Sequence, residues 1–292
     1  MAGSILLFGA EGQLGREITA LAGARDVSLI PLGRAACDIT DQQALRSAIA
    51  SHRPSLIVNA AAYTAVDRAE SEPQAAHAVN AVAPELIAIA AAEADVPLLH
   101  ISTDYVFDGT KTEAYDEEDS VAPLGVYGHS KEEGERRIRQ SCSKHIILRT
   151  AWVYGIYGAN FLKTMLRLAN ERSVLKVVAD QRGCPTSTTD LAEAVLAVHG
   201  ELAQGNESWG TYHFAGQGVA TWHEFAQTIM SERAAILGAA PSVEPITTMD
   251  YPTPARRPAN SALDSSRFAK TFGLRSKPWQ ERVSEAVVSL VK

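Results

Sequence analysis

At 292 residues the chain is long enough to bury a sizeable core, as one large domain or as a body with a smaller second lobe. Hydrophobic residues make up 46% of it, and 27 Lys plus Arg against 34 Asp plus Glu leave a net charge of -7 with no long basic run. That balance argues against nucleic acid or an anionic membrane surface as the main partner, and leaves a small substrate, even an anionic one held by a few arginines.

Along the chain, "MAGSILLFGAEGQLG" has an apolar run of only Ile5 to Phe8 and no positive charge before it. It reads as the start of a strand, not as a signal peptide or membrane span. Short apolar runs at 4–9, 27–32, 55–61, 96–102 and 145–150 predict buried strands, and helix-spaced patterns at 13–23, 41–52, 74–94 and 130–141 lie between them. Buried strands alternating with helices mean an α/β protein, a Rossmann-type doubly wound parallel sheet covered on both faces. After residue 150 the pattern loosens: helices are expected at 160–172, 189–203 and 221–237, strands at 175–180 and 211–216, with turn-rich pieces between them. The expected division is a sheet domain over 1–155 with a returning segment near 189–225, and a smaller α+β lobe from 156–188 and 226–292. Cys37, Cys142 and Cys184 show no metal-type spacing and form no closed disulfide set, which fits reduced thiols in a cytoplasmic protein.

In open parallel sheets ligands bind beyond the carboxyl ends of the strands. The first such loop, "GAEGQLG", carries Gly9, Gly12 and Gly15 before an amphipathic helix. It suits either a structural glycine turn or a dinucleotide pyrophosphate placed at a helix N-terminus, where Gln13 and Leu14 follow. After the second strand Gly33 and Arg34 stand where an acid would select NAD, which biases the reading toward NADPH, with NADH possible. Asp38 and Ile39 are placed to border the adenine, and Ala62, Tyr63 and Thr64 after the third strand either line a cofactor, the last two at its phosphate and ribose, or form a small-residue turn. Asn80 reads as a plain polar group of the following helix.

The fourth strand ends in "HISTDYVFDG", which sets Ser102, Thr103, Asp104 and Tyr105 at the crevice. These types also make turns and caps. In "VYGHSKEEGE", Tyr127 and Lys131 stand four apart. By spacing alone this is a surface helix capped by Ser130, with Glu132, Glu133 and Glu135 at its positive end, or a catalytic pair. Ketone reduction needs a proton donor beside the hydride donor. A tyrosine, with an ordinary pKa of about 10, serves if a nearby cation draws that value down. Tyr127, Lys131 and Thr103 make such an apparatus.

The glycine loop, the hydroxyl after the fourth strand and Y-x-x-x-K resemble the extended short-chain dehydrogenase/reductase superfamily. More closely, "FGAEGQLG", "NAAAYTAVDRAESEP", "STDYVFDG", "VYGHSK", "RTAWVYG", "NF", "DQRGCPTS" and "RPANSALD" resemble, in order, the dTDP-4-dehydrorhamnose reductase family. The resemblance implies NAD(P)H-dependent reduction of the 4-keto group of a dTDP-linked 6-deoxy sugar, and a second lobe that binds the nucleotide sugar. It makes Tyr127 the proton donor and Lys131 its partner at the ribose, places Thr103, Asp104 and Trp152 at the sugar, and makes Asn160 and Arg257 candidates for the diphosphate. Relatives that bridge dimers through magnesium use glutamates; Glu17 matches one, but Thr189 stands at another, so no metal site is expected and the protein is a monomer or homodimer. Two rival readings share these motifs: a nucleotide-sugar epimerase or dehydratase with retained cofactor, and a non-catalytic regulatory subunit.

Overall fold

Ile5, Leu6, Leu7 and Phe8 are all fully buried, which a strand permits only if both of its faces are covered. A computed structural model describes residues 3–291; Met1, Ala2 and Lys292, the outermost residues of the two expected units, lie outside it. Strand β1 (Ile5–Phe8) leads into α1 (Gln13–Ala24), β2 (Leu29–Leu32), α2 (Gln42–His52) and β3 (Leu56–Asn59). Two short helices, α3 (Val66–Ala69) and α4 (Pro73–His77), a π-helical turn over Ala78–Val82 and α5 (Ala83–Glu93) precede β4 (Leu98–Thr103). Helix α6 (Val126–Ser141) then joins β4 to β5 (His145–Thr150). Next come β6 (Val153–Tyr154), α7 (Phe161–Leu168), β7 (Val174–Val178), β8 (Arg182–Gly183), β9 (Thr186–Ser187), α8 (Thr188–Ala203) and β10 (Gly210–His213). The chain ends with β11 (Ala220–Thr221), α9 (Trp222–Leu237), β12 (Ser242–Ile246), α10 (Ser266–Phe272) and α11 (Trp279–Val291).

The main sheet runs β2-β1-β3-β4-β5-β10, every pair parallel. Alternate residues of β1 serve two cores. Ile5 and Leu7 pack with Leu14 and Ile18 of α1 and Leu191 and Val195 of α8; Leu6 and Phe8 pack with Leu45, Ile87 and Ile138 of α2, α5 and α6. The chain leaves β1 on one side to make β2 and returns on the other as β3, so a crevice opens where their carboxyl ends diverge. By length and composition Pro73–Glu93 is the one helical stretch among the described residues apolar enough to cross a membrane. Ile87, Ala88, Ala90 and Ala91 face the sheet's core instead.

A third core belongs to the second lobe, where Leu162, Met165, Leu175, Val177, Phe225, Ile229, Trp279, Val283 and Val287 bring α7, β7, α9 and α11 together. Parallel pairing of β7 with β12 gives this lobe its own small sheet. Helix α10, which the sequence places in this lobe, has Phe268 and Phe272 in the main sheet's core beside Tyr212 and Phe214.

Two expectations about polar groups change. Helix α6 begins at Val126, four residues before the expected start, with Gly125 as its cap position and the Val126 N–H donating to Glu70 Oε1 at 2.9 Å. Ser130 is therefore inside the helix, donating to the Tyr127 carbonyl at 2.8 Å, and caps nothing. Asn80 is more than a helix polar group: its amide accepts from the Tyr63 N–H at 2.8 Å and donates to the Tyr63 carbonyl and to Ser130 Oγ, each at 3.0 Å.

Glu135 is completely buried and ion-paired with Arg149 at 2.7 Å, with Ser102 Oγ donating to it at 2.5 Å and Arg139 at 3.1 Å. Burial alone would raise its carboxyl; the guanidinium of Arg149 outweighs this and holds it below the usual range. Removing one partner of such a pair strands the other charge, at a cost of about 3–5 kcal/mol. Glu135→Leu is accordingly expected to lower the unfolding free energy by that amount in urea titration, with Glu135→Gln falling between it and the parent; an unchanged midpoint would show that Arg149 reaches water.

Candidate active site

A cleft of about 710 Å³ opens at the carboxyl ends of β1, β3 and β4 and continues to the second lobe. Its floor at one end is the glycine loop. Gly9 has φ +81, and a Cβ there would lie 2.5 Å from the Ala61 nitrogen, while one on Gly15 would run into the Gly9 carbonyl. Gly15 does not line the cleft; its bare Cα lets α1 approach. Gly12 occupies the cap position of α1 with no side-chain cap, so the helix presents uncapped N–H groups to the cleft beside Gln13 and Leu14. Those N–H groups and the glycine cradle fit a dinucleotide's pyrophosphate.

Farther along, Arg34, Asp38, Ile39, Ala62, Tyr63 and Thr64 line the walls. The Arg34 side chain is 87% exposed, and its nearest charged partner is Asp38 at 3.7 Å. Asp38 accepts from the Thr40 N–H at 3.0 Å and hydroxyl at 2.8 Å, bonds that hold its carboxyl below the usual range. Tyr63 turns its hydroxyl away from the cleft toward Glu72, at 2.7 Å. Glu11, which the sequence reading passed over, also lines this end, with its side chain across the bare Cα of Gly33.

Thr103, Asp104, Tyr127, Lys131 and Trp152 meet at the other end. Thr103 Oγ1 donates to Asp104 Oδ1 at 3.0 Å and accepts from the Tyr105 N–H at 3.2 Å. Asp104 is buried and its Oδ2 has no partner within the protein, an unsatisfied acceptor beside the place where a polar ligand would sit. Burial pushes its carboxyl up to about 6, against the hydrogen bond from Thr103. Tyr127 is buried edge-on to the ring of Tyr105, and desolvation pushes its phenol up to about 12, only partly offset by Thr103. The expected lowering of Tyr127 by Lys131 is not met in this arrangement. Lys131 instead sends its Nζ to the Ile101 carbonyl at 2.7 Å and to within 3.0 Å of His100 Nε2, and desolvation brings it down to about 8.

Two expected residues do not line the cleft. Asn160 caps α7, accepting from the Lys163 N–H at 3.0 Å and donating to the Gly155 carbonyl at 2.8 Å. Arg257 donates to Asp67 at 2.8 Å and to Thr253. In their place the second lobe brings Phe161 and Trp222. Trp152 lies flat on Trp222 with ring centroids 3.6 Å apart, its backbone at φ +45 and Gly183 leaving room for its indole. Phe161 belongs to the "NF" pair but was given no role there, and Trp222 stands in no motif; the wall exists only once α7 and α9 pack together. Glu17 accepts from the hydroxyls of Thr188 and Thr189 at 2.9 and 3.1 Å.

The arrangement joins an uncapped helix N-terminus to a buried phenol, amine, hydroxyl and carboxyl, which suits hydride chemistry on a polar ligand. The family described as RmlD substrate binding domain matches residues 3–291. A dTDP-4-dehydrorhamnose reductase of Sinorhizobium fredii is 44% identical over 285 residues, covering 97% of this chain and 96% of that one. Among solved structures, a Clostridium acetobutylicum dTDP-4-dehydrorhamnose reductase superposes with a TM-score of 0.92 at 39% identity, over 99% of this chain and 100% of its own. A Bacillus anthracis dTDP-4-dehydrorhamnose reductase in complex with NADP superposes with a TM-score of 0.91 at 34% identity, over 99% of this chain and 100% of its own. Matched over nearly its whole length in sequence and fold, this chain belongs to the dTDP-4-dehydrorhamnose reductase family.

Proposed function

We propose that the chain reduces the 4-keto group of dTDP-4-dehydro-L-rhamnose to give dTDP-L-rhamnose, using NADPH. The observation that carries this reading is the meeting of Tyr127, Lys131 and Thr103 in one cleft with the uncapped N-terminus of α1. The names of the relatives and the NADP held by the Bacillus anthracis protein support it. Bound NADPH supplies the hydride. Gly9, Gly12, Gln13 and Leu14 hold its pyrophosphate, Asp38 and Ile39 border its adenosine, and Arg34 turns to its 2'-phosphate. Tyr127, whose phenol keeps its proton at neutral pH, gives that proton to the carbonyl oxygen as hydride arrives, because the alkoxide forming there is a stronger base than the phenolate left behind. Thr103 and Asp104 orient the sugar, and Trp152, with Trp222 and Phe161, forms an apolar wall that excludes water from the reacting carbon. The second lobe supplies that wall and encloses the nucleotide sugar.

The direct test is spectrophotometric: with enzymatically prepared dTDP-4-dehydrorhamnose, NADPH should be consumed in stoichiometric amounts. An epimerase or dehydratase with retained cofactor would consume none. Tyr127→Phe should lower kcat by roughly 10²–10⁴ while leaving NADPH affinity within about twofold, because it removes a proton donor and no binding group. Near-normal turnover in that variant would sink the assignment. Arg34→Ala should raise the KM for NADPH about tenfold, the worth of one charge-assisted hydrogen bond, and leave that for NADH unchanged. Since Lys131 is held near 8 and Tyr127 near 12, the first proton lost from the pair is the lysine's. The kcat/KM profile for the sugar should therefore fall as pH rises through about 8, and a plateau extending to pH 10 would contradict this.

A further inference from the structure

Lys131 is held from below by two residues that the proposed reaction leaves unused. Its Nζ lies 3.0 Å from His100 Nε2, and His100 Nδ1 lies 3.0 Å from the Asn59 amide nitrogen. Asn59 and His100 are buried register partners on β3 and β4. The hydrogens along this chain follow from its far end. Asn59 Oδ1 accepts from the Ala61 N–H at 3.1 Å, so the amide must turn its NH₂ toward His100, and His100 Nδ1 is then an acceptor. A neutral imidazole with Nδ1 bare carries its proton on Nε2, and that N–H points at Lys131. An ammonium has only donors to offer in return, whereas an amine has a lone pair. All the bonds are satisfied when Lys131 is an amine that accepts from His100 and donates to the Ile101 carbonyl at 2.7 Å. Carrying an ammonium requires the imidazole proton to move to Nδ1 and Asn59 to turn, which leaves the Ala61 N–H facing an NH₂.

Resting on the reading of Tyr127 and Lys131 given above, we propose that His100, oriented by Asn59, is a positioning residue that holds Lys131 in place and biases it toward the amine. Burial works in the same direction on both groups: desolvation lowers Lys131, and desolvation with the neighbouring lysine keeps His100 neutral. The other charged or titratable groups around Lys131 do not supply this bias. Glu135, one turn along α6, favours the ammonium but is engaged by Arg149 of β5 and Arg139. Tyr127 is one turn back, Asp104 at the end of β4 is bonded to Thr103, and His213 of β10 stands behind Arg149 at 3.4 Å. Ser130 and Asn80, bonded to each other on the far side, are neutral.

The test compares pH profiles of kcat/KM for the intact enzyme, His100→Gln and Asn59→Asp, with Tyr127→Phe as control. In His100→Gln an amide oxygen of similar reach accepts from the ammonium. In Asn59→Asp a carboxylate accepts from both the Ala61 N–H and an Nδ1–H, which leaves Nε2 free to accept. Each variant should move the basic limb upward by half a pH unit or more, seen as about threefold more of the neutral-pH kcat/KM retained on the limb. Folded variants whose limbs stay put or move down would overturn the inference, and if one variant fails to fold the other decides. Long-range ¹H–¹⁵N correlation on the cofactor-free protein gives a readout apart from activity: the His100 proton is expected on Nε2, and finding it on Nδ1 would overturn the inference. Loss of turnover in Tyr127→Phe with unmoved limbs would remove this inference alone; near-normal turnover there would remove the reading beneath it.

Discussion

The geometry of the cleft rests on how closely α6 can lie against the π-helical turn at Ala78–Val82. Gly134 makes the approach possible, since a Cβ there would run into the Asn80 carbonyl oxygen. The extra residue of a π turn locally breaks the α-helical ladder and re-aims its side chains. Asn80 uses that displacement to grip both the backbone of Tyr63 and the hydroxyl of Ser130. One amide thereby ties the loop after β3 to the helix that carries Tyr127 and Lys131. Because Tyr127 and Lys131 bracket Ser130, any slip of α6 would move both of them, along with Glu135 and its bond to Arg149.

What was legible in the sequence followed from how local each determinant is. The five main strands were placed within a few residues because each is a short apolar run, and all but the half-buried edge strand β2 are covered on both faces, a condition that residue type records. The glycine loop was legible in part for the same reason, since Gly15 is pressed by the nearby Gly9 carbonyl, although the close neighbour of Gly9 is Ala61, in the loop after β3. The start of α6 was misread because Ser130 has a capping side chain, whereas Gly125 has none. The helix begins there because Glu70, 56 residues earlier, receives the Val126 N–H. Asn160 and Arg257 were assigned to the ligand by type and resemblance, but their polar atoms are engaged by the Gly155 carbonyl and Lys163 N–H and by Asp67. The role of Phe161, half of the "NF" pair, and of Trp222 was missed because an aromatic wall assembled from two helices has no contiguous pattern.

The protein solves the burial of charge in two ways within one helix. Glu135 keeps its charge by collecting Arg149, Arg139 and Ser102, and holding it lets α6 pack against β4 and β5. Lys131, one turn earlier and equally buried, has no carboxylate of its own; it finds a carbonyl and an imidazole. The first arrangement is rigid and stabilising only while intact. The second leaves a group that exchanges its proton near neutral pH, a property suited to a site that must move protons.

The hydroxyls around Asp104 bear on which group gives a proton in the proposed reaction. Thr103 has one proton, and it is donated to Asp104 Oδ1 while the Tyr105 N–H occupies one of its lone pairs. As long as Asp104 is ionised, Thr103 can offer the cleft only an acceptor. With burial setting the Asp104 carboxyl near 6, that condition holds above about pH 6. A ketone oxygen needs a donor, and the phenol of Tyr127, which lines that end of the cleft, keeps its proton throughout that range. Thr103 is then suited to hold Asp104 in place, and the unpartnered Oδ2 of Asp104 to receive a sugar hydroxyl.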